Sequence, residues 1–351
     1  MSRAVAAKEA LLPAIVALLI AAIVGDLLIL SFGQNPGAVY RLLLEGTWGN
    51  AYGLGQVLYK ATTLTFTGLA VAVGLRAGLF NIGAESQLAA GGFAAALVGL
   101  ALPAGLPSLL TLPVYLAAAA LGGGIVGGIP GALKAKFGAH EVITTIMLNF
   151  IVLALLNYLT VTYFKVPGSL HTSEIRAGAL PRLSDFIPAF HGSAANVVIV
   201  IGALAAAGTA WFLFRTRPGF ELRATGLQPL AAEYGGVSVG GVWWRTLVFS
   251  GALAGIGGLN FVLGYKHYYE EAFASGAGFL GIAVAIVGRN HPLGVVLAAL
   301  VFATISQGGL AVNAVVPKQM VDVLQAVVII AVAASVPEVR RMLRTAAGGN
   351  R

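Results

Sequence analysis

Long apolar runs recur along this chain with only short polar stretches between them; Leu11 to Leu30, Leu64 to Leu75 and Leu88 to Leu102 are three examples. Such runs read as lipid-compatible helices, because about 20 predominantly apolar residues cross roughly 30 Å of hydrocarbon. The chain has little else to build with. Hydrophobic residues make up 58% of it and charged residues 10%, with a mean hydropathy of +0.89. A water-facing surface draws on about 25% charged residues, so this chain cannot cover a globular exterior. The 351 residues hold many spans and leave little for soluble domains. The 47 glycines fit close helix packing in lipid, where small residues let backbones approach.

The expected architecture is an all-α polytopic bundle in a single transmembrane domain over 1–351. About ten spans are placed near 11–32, 56–75, 79–101, 109–131, 142–164, 194–214, 246–264, 276–288, 293–311 and 320–336, the eighth short enough to be a half-helix. Arg3 and Lys8 ahead of Leu11 resemble a secretory signal, but the run is long and no Ala-x-Ala site follows, so it reads as a retained first span. With the amino terminus inside, 14 of the 21 cations fall on inside loops, which puts both termini in the cytoplasm. The cations behind the net charge of +8 fall between spans, as loop charges that set orientation do, and no basic patch of interleaved aromatics occurs, which argues against nucleic acid. With no cysteine there is no disulfide or thiol chemistry to consider.

The segment Gly78-Leu79-Phe80-Asn81-Ile82-Gly83-Ala84-Glu85-Ser86-Gln87 interrupts two apolar runs. A carboxylate and two carboxamides there are costly in hydrocarbon and belong in a bundle interior or a water-filled path. Gly78 and Gly83 let the backbone break, and broken helices at membrane depth are typical of transport sites. An ion site at Glu85 accounts for the same residues equally well. A second polar stretch, His140 to Asn149, puts Thr145 and Asn149 on one helical face, as interhelical glue or as pore lining. A third interruption runs Gly278 to Gly294; Pro292 is expected to end a helix, with Arg289, Asn290 and His291 satisfying the freed carbonyls. The first and third interruptions lie in opposite halves, as a distant internal duplication would place them.

Two connections are long enough to be structured. The outside loop 165–193 carries Pro167, Pro181 and Pro188, as a docking rim or a plain connector. In the inside loop 215–245, Pro229 suits the first turn of a helix and Gly235 its C-terminal cap. Leu230 and Tyr234 stand at i and i+4 on the stub between them, rimmed by Arg215, Arg217 and Arg223. That stub is a docking knob for another protein or an amphipathic loop at the lipid headgroups. Other patterns carry no chemistry. Gly122 to Gly127 holds a G-x-G-x-x-G inside a span, which is helix packing. No G-x-x-x-x-G-K-[ST] occurs, so no ATP site is expected. Lys266-His267-Tyr268-Tyr269-Glu270-Glu271 is contiguous rather than helically spaced, an aromatic interface belt rather than a metal site. No nucleophile, base and orienter share a pocket, so no catalytic residue is assigned and an intramembrane enzyme is disfavoured.

Three motifs in order then match one family. Phe80 to Gln87 resembles the "FNIGAEGQ" stretch of nucleoside and simple-sugar ABC transporter permeases, relatives of the ribose and branched-chain amino-acid permeases. Glu141 to Asn149 looks like that family's "EVITTIMLN", and Gly288 to Gly294 like its "GRNHPLG". The chain departs from the pattern at Ser86, where the family has Gly, and at Leu280, where it often has Asp. The resemblance implies a permease subunit of an ATP-driven importer in the bacterial inner membrane, for nucleosides or, alternatively, simple sugars. It implies a second related permease chain, an ATPase with two fused nucleotide-binding modules that holds the ATP and Mg, and an external solute-binding lipoprotein; this chain would bind no cofactor. The implied solute-path residues are Phe80, Asn81, Glu85, Gln87, Thr145 and Asn149. The implied ATPase-coupling residues are Arg217, Glu221, Arg223, Gly226, Leu230, Ala231, Glu233, Tyr234 and Gly235. An ion-coupled secondary transporter, with Glu85 as its proton or sodium site, is the competing class.

Overall fold

A computed structural model describes residues 19, 20, 22–317, 319, 320, 322–327 and 329–331. The parts of the first and last expected spans at 11–18 and 332–336 lie outside the described residues, as do the terminal cations. The helices in chain order are α1 (Ala22–Ser31), α2 (Pro36–Thr47), α3 (Ala51–Arg76), α4 (Ala84–Ala101), α5 (Ser108–Phe137) and α6 (Glu141–Leu159). Then come α7 (Val198–Arg215), α8 (Arg217–Leu227), α9 (Pro229–Tyr234), α10 (Val239–Gly257), α11 (Ala277–Val287), α12 (Pro292–Ala311) and α13 (Asp322–Ala331). Short π-helical turns extend α6 over Thr160–Phe164 and, beyond Leu259–Phe261, end the α10 rod (Val239–Lys266) over Val262–Lys266. Among the described residues seven helices are long and apolar enough to cross a membrane, with α1, α11 and α13 as shorter apolar helices. Each expected span coincides with one of these ten, so the chain is an all-α polytopic membrane bundle.

Some boundaries differ from the sequence reading. The third span begins at Ala84 rather than near 79, because residues 79–83 are not helical. Helix α2 was expected to be a connection; Asn35 starts it by accepting from the Gly37 N–H at 2.8 Å, with Pro36 in its first turn. Pro292 opens α12 instead of ending a helix. The turn before it is closed by its own backbone, with Asn290 N–H on the Ala285 carbonyl and His291 N–H on that of Gly288. Arg289 and Asn290 take left-handed conformations to do so.

The chain divides into two compact units. One comprises the described residues up to Val57 and from Val301 onward; its core is Ile29, Val39, Val312, Val316 and Met320. The other is Leu58–Leu300. Within this larger unit, α4 and the α10 rod are mostly buried, while α5, α6 and α7 turn most of their length outward. Ile143, Met147, Phe150, Ile151 and Leu155 form one exposed apolar face on α6, and Leu121, Ile125 and Ile129 another on α5. Faces of that size would be a liability in water and are the ordinary exterior of a lipid-facing helix.

Glycine sets how closely the central helices approach. Gly123 and Gly127 on α5 face Leu247, Gly251 and Gly255 on α10, and Gly91 on α4 meets Gly255 from the other side. A methyl group at Gly123, Gly127, Gly251 or Gly255 would overlap a carbonyl oxygen of the facing helix. The Gly122–Gly127 pattern is therefore helix packing of the small-xxx-small kind.

The loop after α6 folds over the far end of the unit. Its own Ile175, Ala177 and Leu180 are buried, and the Ile175 N–H donates to the His267 carbonyl at 2.7 Å. The Tyr115 hydroxyl donates to the Ala177 carbonyl at 2.7 Å. Tyr269, expected at an interface belt, is a core residue 3% exposed and packed edge-on against Phe93 at 5.1 Å. Tyr268 does stay near the surface, stacked on His171 at 4.2 Å.

The glycine contact gives a direct test. Gly255→Leu must push α10 from α5, at a cost above the roughly 1–3 kcal/mol of ordinary overpacking. We expect loss of the monodisperse peak in detergent size-exclusion chromatography. Gly208→Leu, at a position with nothing within 4 Å, should leave the profile unchanged.

Candidate functional site

After α3 ends at Arg76, Gly78 takes a left-handed turn (φ 74°) and the chain doubles back alongside the helix it has just left. The Leu79 N–H returns to the Gly74 carbonyl at 2.9 Å. This extended elbow carries Asn81 up to the interior, where a lattice of amides holds it. Asn81 Nδ2 donates to Gln87 Oε1 at 2.8 Å, and Gln87 Nε2 returns a bond to Asn81 Oδ1 at 3.0 Å. Asn81 Nδ2 also donates to Ser250 Oγ at 2.8 Å, and that hydroxyl passes on to the Ala70 carbonyl at 2.6 Å.

Helix α4 then starts inside the bundle, where its first N–H groups have no helical partner. Asn81 Oδ1 accepts from the Gly83 N–H at 3.0 Å, and Asn149 Oδ1 of α6 accepts from the Ser86 N–H at 3.1 Å. Asn149 Nδ2 closes the loop on the Ile82 carbonyl at 2.9 Å. Thr145 bonds back to Glu141 of its own helix at 2.7 Å and packs against Gly83, where a methyl group would meet its Cβ at 3.4 Å. At the foot of α6, Glu141 pairs with Lys134 at 2.6 Å.

Glu85 performs the same service for α11. Its two carboxylate oxygens accept from the Gly276 and Gly278 N–H groups, both at 2.6 Å. A carboxylate at a helix N-terminus gains from charge-assisted bonds and from the helix dipole. The Thr67 hydroxyl donates to the Ala277 carbonyl at 3.1 Å. Thr67 lies nine residues before Arg76, so the start of α11 stands about 14 Å up α3 from that end. Gly278 fits backbone to backbone against Glu85. Helix α11 is thus a half-helix that begins at membrane depth. Beside Glu85, Ser275, Gly276 and Phe279 reach the surface of the chain.

The structure therefore brings Asn81, Glu85, Gln87, Thr145 and Asn149 into one buried cluster, with Phe80 half-buried at its edge. Their polar atoms bond to one another and to backbone. Ser250 belongs to this cluster and was missed; a single serine within the apolar run of α10 was the signal for it. The Ser86 hydroxyl bonds to the Gly83 carbonyl at 3.1 Å, so its side chain is accommodated within the cluster.

The loop between α7 and α10 docks on the Arg76 end of this elbow. Thr216 caps α8 through the Gly219 N–H at 3.2 Å. The backbone at Gly226 lies against the Arg76 carbonyl, where a methyl group would overlap it, and Gly78 faces Gly226 in turn. Helix α9 runs Pro229–Tyr234 with Gly235 as its cap, as the Pro and Gly positions require. Leu227 (86% exposed), Leu230 and Tyr234 (96% exposed) project outward from the tip, with Ala231 and Glu233 exposed beside them. Arg217 and Glu221 pair along α8 at 2.9 Å. Arg223 turns inward, over the Phe214 ring at 5.4 Å. His291 stacks on the same ring, and burial, with Arg76 nearby, holds its pKa below the ordinary value.

Three curated relatives align over nearly the whole chain. The guanosine ABC transporter permease protein NupP of Bacillus subtilis is 38% identical over 335 residues, 93% of each chain. The nucleoside ABC transporter permease protein NupB of Lactococcus lactis is 33% identical, covering 93% of this chain and 91% of its own. The glucose ABC transporter permease protein TsgB13 of Haloferax volcanii is 34% identical, covering 90% and 85%. The same two bacteria each hold a second, more distant permease relative, 28% identical in both cases. No solved structure matches the chain. A family described as branched-chain amino acid transport system / permease component matches residues 53–333, which take in the elbow, the α11–α12 turn and the α8–α9 knob, and the chain belongs to that family of membrane permeases.

Proposed function

We propose that this chain is one of two permease subunits of an ATP-driven importer for nucleosides. The observation that carries the reading is the α8–α9 knob: large side chains stand exposed at its tip, and the α8 backbone at its base rests on the elbow. Leu227, Leu230 and Tyr234 have the character of anchors for a cleft on another protein, here an ATPase with two nucleotide-binding modules that holds the ATP and Mg. Arg217, Glu221, Glu233 and the glycines at 226 and 235 would shape and rim that contact. The distribution of cations supports a cytoplasmic knob, cytoplasmic termini and the bacterial inner membrane. An external solute-binding lipoprotein would deliver the solute at the far end.

The solute passes along the interface of this chain with a second, related permease, a pairing supported by the two permease relatives found in each of two bacteria. On this chain the path runs by Ser275, Gly276 and Phe279, one layer outside Glu85. The polar cluster of Phe80, Asn81, Glu85, Gln87, Thr145 and Asn149 holds that wall. Closing of the ATPase pushes α8 and α9, and the contact of Gly226 with Arg76 and Gly78 passes the push to the elbow. The chain contributes differential affinity for the solute in two states rather than bond chemistry. Guanosine and other nucleosides are favoured by NupP and NupB, and a simple sugar by TsgB13.

In proteoliposomes with the full complex, Leu230→Asp with Tyr234→Ala should lower solute-stimulated ATP hydrolysis at least about tenfold, the loss of a hot-spot contact, while the permeases still fold. Undiminished stimulation would refute the knob as coupling element. Glu85→Gln keeps one acceptor for two N–H donors and loses the charge, a loss of about 1.5–3 kcal/mol in charge-assisted bonding. Uptake of labelled guanosine should fall while the complex still purifies intact; unchanged uptake removes Glu85 from the path wall. Competition by unlabelled guanosine but not glucose separates the nucleoside reading from the sugar one.

A further inference from the structure

Phe214, on α7, is the centre of a basic cluster drawn from three separate elements. The Arg76 guanidinium, at the end of α3, lies 5.5 Å from the centre of its ring, and that of Arg223 on α8 lies 5.4 Å away. His291 from the α11–α12 turn stacks on the ring at 5.4 Å with the planes 22° apart. Arg76 uses its Nε on the Asn290 carbonyl at 2.9 Å, a neutral partner. The Arg223 Nε is shielded from solvent and has no hydrogen-bond partner.

No carboxylate answers these charges among the described residues. The ion pairs there are Arg41 with Glu45, Lys134 with Glu141 and Arg217 with Glu221. Two half-buried guanidiniums over one ring repel each other, and the ring's quadrupole attracts each only weakly. Among the described residues the arrangement lacks a counter-anion. Planar forks with donors to spare suit an oxyanion that accepts several bonds at once, and phosphate is the common one.

We propose that the Arg76–Phe214–Arg223 cluster binds the phosphate of an anionic phospholipid headgroup. Position supports it. Arg76 is the last residue of the span α3, and Phe214 is the penultimate residue of the span α7, so the cluster stands at the depth of a headgroup layer. Trp211 and Phe220 are exposed close by in the chain, as aromatic side chains are at a membrane interface. Basic pockets between spans at that level are a recurrent form of lipid recognition. The docking knob is built from the outward residues Leu227, Leu230 and Tyr234, whereas both arginines sit back, half-buried, where a slender headgroup reaches and a folded protein surface does not. The site stands whichever solute the chain carries.

The purified chain in neutral detergent tests this by thermal midpoint and native mass spectrometry. Phosphatidylglycerol should raise the midpoint by about 2–4 °C or more over phosphatidylcholine and stay bound in the gas phase. Arg76→Gln and Arg223→Gln should each weaken that lipid's binding about tenfold, the loss of one charge-assisted contact. Lys136→Gln, at an exposed cation near the end of α5, should not. Midpoints in phosphatidylcholine alone show that each variant folds. Equal response in the arginine variants overturns the proposal. A full shift with inorganic phosphate alone also overturns it, assigning the cluster to a free anion. So does a wild type indifferent to phosphatidylglycerol; if Arg223→Gln then releases the ATPase subunit from the assembled complex, the occupant is a carboxylate of that protein.

Discussion

The bonds from the Glu85 carboxylate to the Gly276 and Gly278 N–H groups are what the rest of the structure depends on. A helix that begins in hydrocarbon exposes unpaired N–H donors to a medium with nothing to offer them, and each one costs several kcal/mol. This chain begins two helices there, α4 and α11, and each is capped from outside itself. Asn81 and Asn149 answer the first turn of α4; Glu85, itself in that first turn, answers α11. The three polar interruptions of the sequence are thus mutually dependent. Loss of one leaves donors of another uncovered, so the bonds of the cluster are coupled rather than a sum of separate ones.

Around that cluster the bundle is held by contact between backbones. Gly91, Gly123, Gly127, Gly251 and Gly255 bring α4, α5 and α10 close enough that no methyl group fits between them. Without a hydrophobic drive between helices in lipid, such packing carries the association. It also leaves few places where the helices could shear. The elbow at 77–83 is different: it is extended, turns at a left-handed glycine, and is touched at Gly78 and Arg76 by the α8 backbone at Gly226. The α8–α9 knob therefore rests directly on a stretch of this region that is not helix.

The sequence made some of this legible because certain residues have few uses. Pro229 and Gly235 bracket α9 as a proline in a first turn and a glycine at a cap do. Gly78 and Gly83 flagged the break, and Asn81, Glu85 and Gln87 flagged its burial. Other parts were hidden for physical reasons. Ser250 is one small polar residue in an apolar helix, and only the approach of α10 to the elbow gives it Asn81 as a partner. Tyr269 reads as an interface aromatic beside Lys266 and Glu270, but the folded loop carries it inward onto Phe93. Pro292 suits either end of a helix by composition, and the left-handed pair at 289 and 290 decides which.

By itself the sequence determined the class and the places of interruption. A chain of long apolar runs with this little charge reads as a bundle of membrane helices, and groups that lipid will not accept mark where those helices break. Only the tertiary structure decided what those breaks are for. A carboxylate among apolar residues predicts that a partner exists without saying which, and the same Glu85 suited an ion site or a solute contact before the structure made it a cap. Its partners are main-chain N–H groups 191 and 193 positions away. Backbone donors carry no mark in sequence, so that pairing becomes visible only when α11 is seen to start beside α4.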